Sequence, residues 1–170
     1  MGNTKWMGLN ETSAASTVGT VWQNTTPSAT VVYVGGDYTT DAEFINYCFH
    51  SVDGYSRVGS YTGNGNSDGA FIYTGFQPAY TLIKVIATAG EGWPINDNKR
   101  DPYNVLINHT LQANRTWTPT SGGSNYYSLA MDYLSNGFKW RTADGAVNGS
   151  GRTYLYLSFA ESPFKTSNAR

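Results

Sequence analysis

Few residues in this chain are able to do covalent chemistry. Two histidines are present, His50 and His109, with a single cysteine, Cys48. Cys48 and His50 lie two positions apart, so on a strand they share a face, and a thiol beside an imidazole is the pair that a cysteine nucleophile needs. A small core cysteine next to a strand-end histidine satisfies the same pattern and is the reading we expect. With no second thiol there is no intramolecular disulfide, and stability must come from sheet burial. Asn64-x-Asn66-x-Asp68-Gly69 imitates the opening of a calcium loop, in which oxygen ligands alternate and a glycine permits the sharp turn. The twelfth position is Gly75 rather than an acid and the loop holds one carboxylate, so a polar turn is expected there and a cation is the lesser reading.

Other chemistries find less support. One Cys and two His do not supply a closed zinc set without help from acids or another chain. The glycine-rich stretch 63–69 lacks the Lys-Ser/Thr ending of a phosphate loop. Among 12 acids no pair stands out as the two carboxylates of a glycosidase. We therefore expect a non-enzyme without cofactor. The specific activity that the residues suit best is sugar binding, in which aromatic faces stack on sugar rings. The candidates are Trp93 in GlyGluGlyTrpPro, Trp117 in ArgThrTrpThrPro, and Tyr126 and Tyr127 after GlyGlySerAsn. Aromatic residues also dominate cores and interfaces, so sealing loops against the domain, or a subunit contact, is the more economical role for these four. Trp140, inside a strand, is expected in the core.

The elements that must carry these residues are strands. Of the 170 residues, 13 are Tyr, 7 Phe, 5 Trp and 19 Gly, and only 14% are charged, while good helix formers never gather into a long window. Short runs bounded by Gly, Pro, Asn or Asp read as strands at 29–34, 43–50, 55–62, 70–74, 80–87, 137–142 and 153–160. Turn signals at that density predict an all-β, antiparallel β-sandwich, jelly-roll-like, preceded by an extended N-terminal segment rich in Ser, Thr, Asn and Gly. ThrGlyAsnGly (62–65) and SerAsnGly (135–137) supply residues tolerant of positive φ for hairpin connections. A net charge of −1 offers no field to attract nucleic acid or an anionic membrane, and no run approaches the roughly 18 apolar residues that span a bilayer. The start, MetGlyAsnThrLysTrp, does not resemble a signal peptide. The five Asn-x-Ser/Thr triplets, at Asn10, Asn24, Asn108, Asn114 and Asn148, are what chance gives in so Asn-, Ser- and Thr-rich a chain.

Two segments look alike. PheIleAsnTyrCysPheHisSer (44–51) and TyrLeuTyrLeuSerPheAlaGlu (154–161) both begin with an aromatic, continue with an aliphatic and place Phe sixth, and each follows a turn bearing Gly and Asp or Asn. Looser parallels link Asn10–Thr12 with Asn108–Thr110, and Trp22 before Thr26-Pro27 with Trp117 before Thr118-Pro119. The expectation is a partial repeat over residues 1–53 and a complete sandwich repeat over 54–170. Half a sandwich leaves an edge unpaired and an apolar face wet, so the first part either packs on the second or exchanges strands with a neighbouring chain.

GlySerTyrThrGlyAsnGly (59–65), ThrGlyPheGlnProAlaTyrThrLeuIleLys (74–84), AspAsnLysArgAspProTyrAsn (97–104), AspTyrLeuSerAsnGlyPheLys (132–139) and ThrTyrLeuTyrLeuSerPheAlaGluSerProPheLys (153–165) occur in that order. Together they resemble a repeat of structural proteins from tailed, often marine, bacteriophages, over about two thirds of the chain. The resemblance implies a virion surface component, a tail fibre or other appendage or a capsid decoration, with no catalytic residues. It implies a homo-oligomer contacting other virion proteins, with a host-surface glycan as a further partner, and release by lysis without a signal peptide. Chains of this kind often carry several complete repeats, so one and a half favours the smaller roles. A carbohydrate-binding module, and a filament subunit assembled by strand exchange, are the alternatives.

Overall fold

A computed structural model describes residues 3–36, 43, 45–101, 109–116 and 129–163. Ten strands occur among these residues and no α-helix does, and every pairing is antiparallel. Two form a small N-terminal ladder, β1 (Lys5–Trp6) with β2 (Ser16–Thr17). Five form the larger sheet, in the order β3 (Ser56–Thr62), β10 (Thr153–Ala160), β5 (Pro78–Val85), β6 (Pro94–Asp97) and β7 (Leu111–Gln112). Three form the smaller sheet, in the order β4 (Phe71–Tyr73), β9 (Gly137–Trp140) and β8 (Met131–Leu134).

Alternation decides what is buried. Along β10, Tyr154, Tyr156 and Ser158 are buried, and they stand in register with Val85, Ile83 and Thr81 of β5. Facing them from the smaller sheet are Ile72, Met131, Phe138 and Trp140, and the two inner faces close into one core with Val85, Leu129, Ala146 and Val147. This is the layered antiparallel arrangement that the sequence predicts. Tyr133 ties the layers by polar contacts as well: its hydroxyl donates to the Asn96 carbonyl at 2.9 Å and lies 2.9 Å from the Thr81 hydroxyl. Tyr61 stacks on Tyr154 with centroids 5.0 Å apart, donates to the Val147 carbonyl at 2.7 Å and accepts from the Trp140 indole at 2.9 Å.

The strands expected at 55–62, 70–74, 80–87, 137–142 and 153–160 are present, shifted or shortened by a few residues. Two others are not. No strand forms at 29–34, nor among the described residues of 43–50, where side chains from Ile45 to His50 are exposed. Cys48 is consequently exposed rather than a core residue. A strand needs a partner edge as well as a pattern, and the described chain brings none to these two segments.

The two expected hairpin turns also differ from the simple reading. Residues 63–70 join β3 to β4, which lie in different sheets, so ThrGlyAsnGly opens a sheet-to-sheet link, with Gly65 at φ 67°. Ser135-Asn136 does close the β8–β9 hairpin, without positive φ. Gly137 is required there for space, since a Cβ would sit 2.2 Å from the Ile72 carbonyl oxygen.

Candidate assembly surface

The larger sheet ends at β3, and its register determines which backbone groups are spare. Val52 and Ser56 exchange both backbone hydrogen bonds, at 2.9 and 3.0 Å, on the side of β3 away from β10. In an antiparallel pair successive residues point their N–H and C=O groups alternately to either side, so Ser56, Val58, Ser60 and Thr62 all point outward. Val58 is capped by one side chain: its N–H donates to Ser51 Oγ at 3.1 Å, and that hydroxyl donates to its carbonyl at 3.3 Å. Ser60 and Thr62 are exposed, and among the described residues no group bonds their outward N–H and C=O.

Beside this edge runs the segment that fails to become a strand. Ile45 is 80% exposed, Tyr47 79% and Phe49 56%, alternating with Asn46, Cys48 and His50. Phe49 reaches the outer face of the larger sheet, edge-on to Phe159 at 5.9 Å, where Tyr55 and Tyr80 lie 5.8 and 6.0 Å from the same ring. The main-chain carbonyl of His50 accepts from Ser56 Oγ at 2.8 Å, and its ring Nδ1 lies 2.9 Å from the Ser51 carbonyl. Val31, Val32 and Tyr33 add further exposed apolar surface, at 46, 41 and 38%. Three large apolar side chains exposed within the five residues 45–49 are a feature of contact surfaces.

The opposite end of the outer face is covered by the N-terminal segment, and Trp93 is the fastener. Its indole N–H lies 3.0 Å from the Gly8 carbonyl and 3.2 Å from that of Glu11, and its backbone N–H donates to Asn114 Oδ1 at 3.0 Å. Lys84, fully buried, stands 5.6 Å from the centre of its ring and donates to the Glu91 carbonyl at 2.7 Å. That burial holds the ammonium pKa below the ordinary lysine range. Ala15 N–H donates to the Ile86 carbonyl at 2.9 Å and Gly90 N–H to that of Thr12 at 2.9 Å, completing the cover. An open groove of about 510 Å³, lined by Asn10, Glu11, Thr12, Ser13, Asn114 and Arg115, lies where the segment meets the turn after β7.

The other candidates from the sequence sit apart from both places. Asn64, Asn66 and Asp68 turn their oxygens to the protein. Asn64 Oδ1 accepts from the Asn66 N–H at 3.0 Å and from Asn148 Nδ2 at 2.9 Å, and Asn66 Oδ1 accepts from the Asp68 N–H at 2.9 Å. The Asp68 carboxylate pairs with Lys139 at 2.7 Å and Arg141 at 3.5 Å, and the hydrogen bond and charge of Lys139 hold its pKa below the usual value. No group of three His, Cys, Asp or Glu residues suited to a metal occurs among the described residues. Trp117, Tyr126 and Tyr127 lie outside the described residues, and Trp140 is in the core. His109 pairs with the buried Asp101.

The match to known families runs from residue 1 to residue 163, across both the N-terminal segment and the sandwich. The chain belongs to the DUF7483 family, a domain of unknown function. No curated protein and no solved structure matches it. In the DUF7483 chain the open edge at Ser60 and Thr62 escaped the sequence reading, since it depends on which strand ends the sheet. The signal that is present, the alternation of Ile45, Tyr47 and Phe49, reads as a strand without telling which chain supplies its partner.

Proposed function

We propose that this DUF7483 chain is a structural subunit of a bacteriophage virion surface, an appendage or capsid-decoration component that works by assembly rather than by catalysis. The observation that carries the reading is the exposure of Ile45, Tyr47 and Phe49, an apolar strand pattern left without a partner strand among the described residues. Exposed strand-like segments of this kind are hazards for a free monomer and useful in a subunit whose neighbours cover them. The five ordered motifs that resemble phage structural repeats support a phage particle as the setting. Mass spectrometry of purified virions carrying the gene tests the reading: the chain is expected in stoichiometric amounts beside the other structural proteins, and its absence from the particle would end it.

A second reading, glycan attachment, is favoured by one observation. The groove beside Trp93 presents amides, hydroxyls, a carboxylate and a guanidinium, a set that suits vicinal hydroxyls. Trp93 itself turns its N–H inward to Gly8 and Glu11. Glycan-array binding lost in Asn114→Ala would support this reading, and an array with no signal would remove it.

A further inference from the structure

The chain carries both halves of a strand-exchange contact. We propose that residues 45–49 of one copy add as a strand to the outer edge of β3 of a second copy, with Ser60 and Thr62 as the receiving residues. The inference rests on the assembly reading and names its partner, a second copy of this chain.

The donor has five consecutive residues, 45–49, outside any ladder, and the acceptor has four outward backbone groups on Ser60 and Thr62. Each is the complement that the other lacks, and spare backbone groups at a sheet edge are the template for strand addition. The register follows from the chain itself. Val52 lies opposite Ser56, so a continued antiparallel ladder sets residue 50 opposite Val58, Cys48 opposite Ser60 and Asn46 opposite Thr62. In that parity Ile45, Tyr47 and Phe49 fall on the side of Gly59 and Tyr61, the face of β3 that meets the core, while Asn46, Cys48 and His50 face outward. The apolar stripe is thereby covered and the polar one stays wet.

Among the described residues, none satisfies the chain's own edge at Ser60 and Thr62. The Ser51 hydroxyl already occupies both outward groups of Val58, where the backbone of residue 50 would have to bond. Beyond it the segment leaves the edge, and the Phe49 ring packs on Phe159, across the sheet from the core side. Among the described residues the edge beyond Val58 is bare, so a neighbour's residues 45–49 meet open positions at Ser60 and Thr62, and its added strand stops short of Val58, where the acceptor's own Ser51 clip stays in place. The β3 edge holds no proline and its one charged side chain is Arg57, so little on it repels an incoming strand.

Cys48 makes the register readable because it is the one cysteine of the chain. Residues directly opposite on a hydrogen-bonded pair have Cα atoms about 5.5 Å apart, within disulfide reach. The full chain bearing Ser60→Cys, oxidised and run without reductant, is expected to form covalent dimers and higher species whose peptide map joins positions 48 and 60. The Cys48→Ser, Ser60→Cys double variant is expected to form none of the 48–60 links. A link closed within one chain would mean that the segment folds back on its own edge, and no 48–60 link would mean that the edge is not the acceptor; either overturns the proposal. In an independent measurement, Ser60→Pro removes an N–H that points away from β10, so the sheet keeps its own ladder. Light scattering of the full chain should show self-association weakened roughly tenfold or more by Ser60→Pro. Association unchanged in Ser60→Pro but lost in Tyr47→Asp would sink the acceptor while sparing the assembly reading. A chain that is monomeric at every concentration would sink both.

Discussion

Residues 44–51 and 154–161 are two versions of one octapeptide pattern with opposite fates. Tyr154 and Tyr156 are buried, and their strand pairs on both sides, with β3 and with β5. Tyr47 and Phe49 stand mostly in solvent, and their segment pairs with nothing among the described residues. Both have the alternation and the aromatic content that fit a pleated sheet. The difference is position: β10 falls between two partners, whereas 45–50 arrives at an edge where a serine hydroxyl has taken the first bonding place. A strand pattern states a capacity to pair, and topology decides whether the partner is in the same chain.

Equal truncations in the two segments give the largest test of that contrast. Tyr156 is packed edge-on to Phe138 at 5.6 Å and lies directly over Gly59, where a Cβ would meet its ring at 2.8 Å. Tyr156→Ala should cost about 3–5 kcal/mol in denaturant unfolding, the usual range for emptying a core aromatic site. Tyr47→Ala should stay within about 0.5 kcal/mol in the same measurement, as exposed substitutions do. Comparable losses from both would mean that the segment is part of the monomer's core after all.

Asn148 extends the contrast to a loop. Its side chain is fully buried: Nδ2 donates to Asn64 Oδ1 at 2.9 Å, the Asn66 carbonyl at 2.9 Å and the Thr142 carbonyl at 2.8 Å, and Oδ1 accepts from the Asn64 N–H at 3.1 Å. One amide thus fastens the 64–69 link between the sheets. Asn148→Ala removes four hydrogen bonds at once and should cost about 1–3 kcal/mol by denaturant titration. A neutral result would mean that the link holds without its clasp.

What could be read from the residues divides along the same line. Strand β10 was legible to the residue, because alternation over eight positions names both faces and its flanking turns name its ends. β1, β2 and β7 are two residues each, too short for any period to show. β6 opens on Pro94, which cannot donate to a ladder and so reads as a breaker, yet it is tolerated as the first residue of a strand. The segments 29–34 and 43–50 have the right local pattern, and their failure is a matter of distant contacts. The site divides likewise. Trp93 stood out by its context, but the direction of its indole depends on Gly8 and Glu11, far away in sequence. Ser60 and Thr62 are ordinary residues made distinctive only by ending a sheet.

Alkaline pH tests the tyrosine hydroxyls enclosed in the core. The hydroxyl of Tyr61 lies inside against Trp140 and Val147 although part of its ring reaches solvent, and loss of hydration holds its pKa well above the ordinary value of 10.0. Burial acts in the same direction on Tyr154 and Tyr133. The folded state therefore keeps protons that the unfolded chain releases near pH 10, so this stabilisation is intact below that pH and is lost as pH rises above it. Tyr61→Phe should lose about 1 kcal/mol at neutral pH with its hydrogen bonds. Its stability should then fall less steeply above pH 10 than that of the parent protein, read by circular dichroism. Identical profiles for Tyr61→Phe and the parent would show that this hydroxyl is not what resists alkali.

The smallest expected effect concerns calcium. The Asn64 and Asn66 oxygens are turned onto backbone amides of their own loop, and Asp68 is engaged by Lys139 and Arg141, whose charges lie where a cation would have to approach. A calcium ion would break two turns and displace two side-chain cations, and the loop would still lack the closing acid that completes such a site. Millimolar calcium or a chelator should therefore leave the thermal midpoint unmoved. A ligand that binds the folded state alone raises stability with its concentration, so a midpoint rising with calcium and falling with chelator would reveal a site that this arrangement does not accommodate.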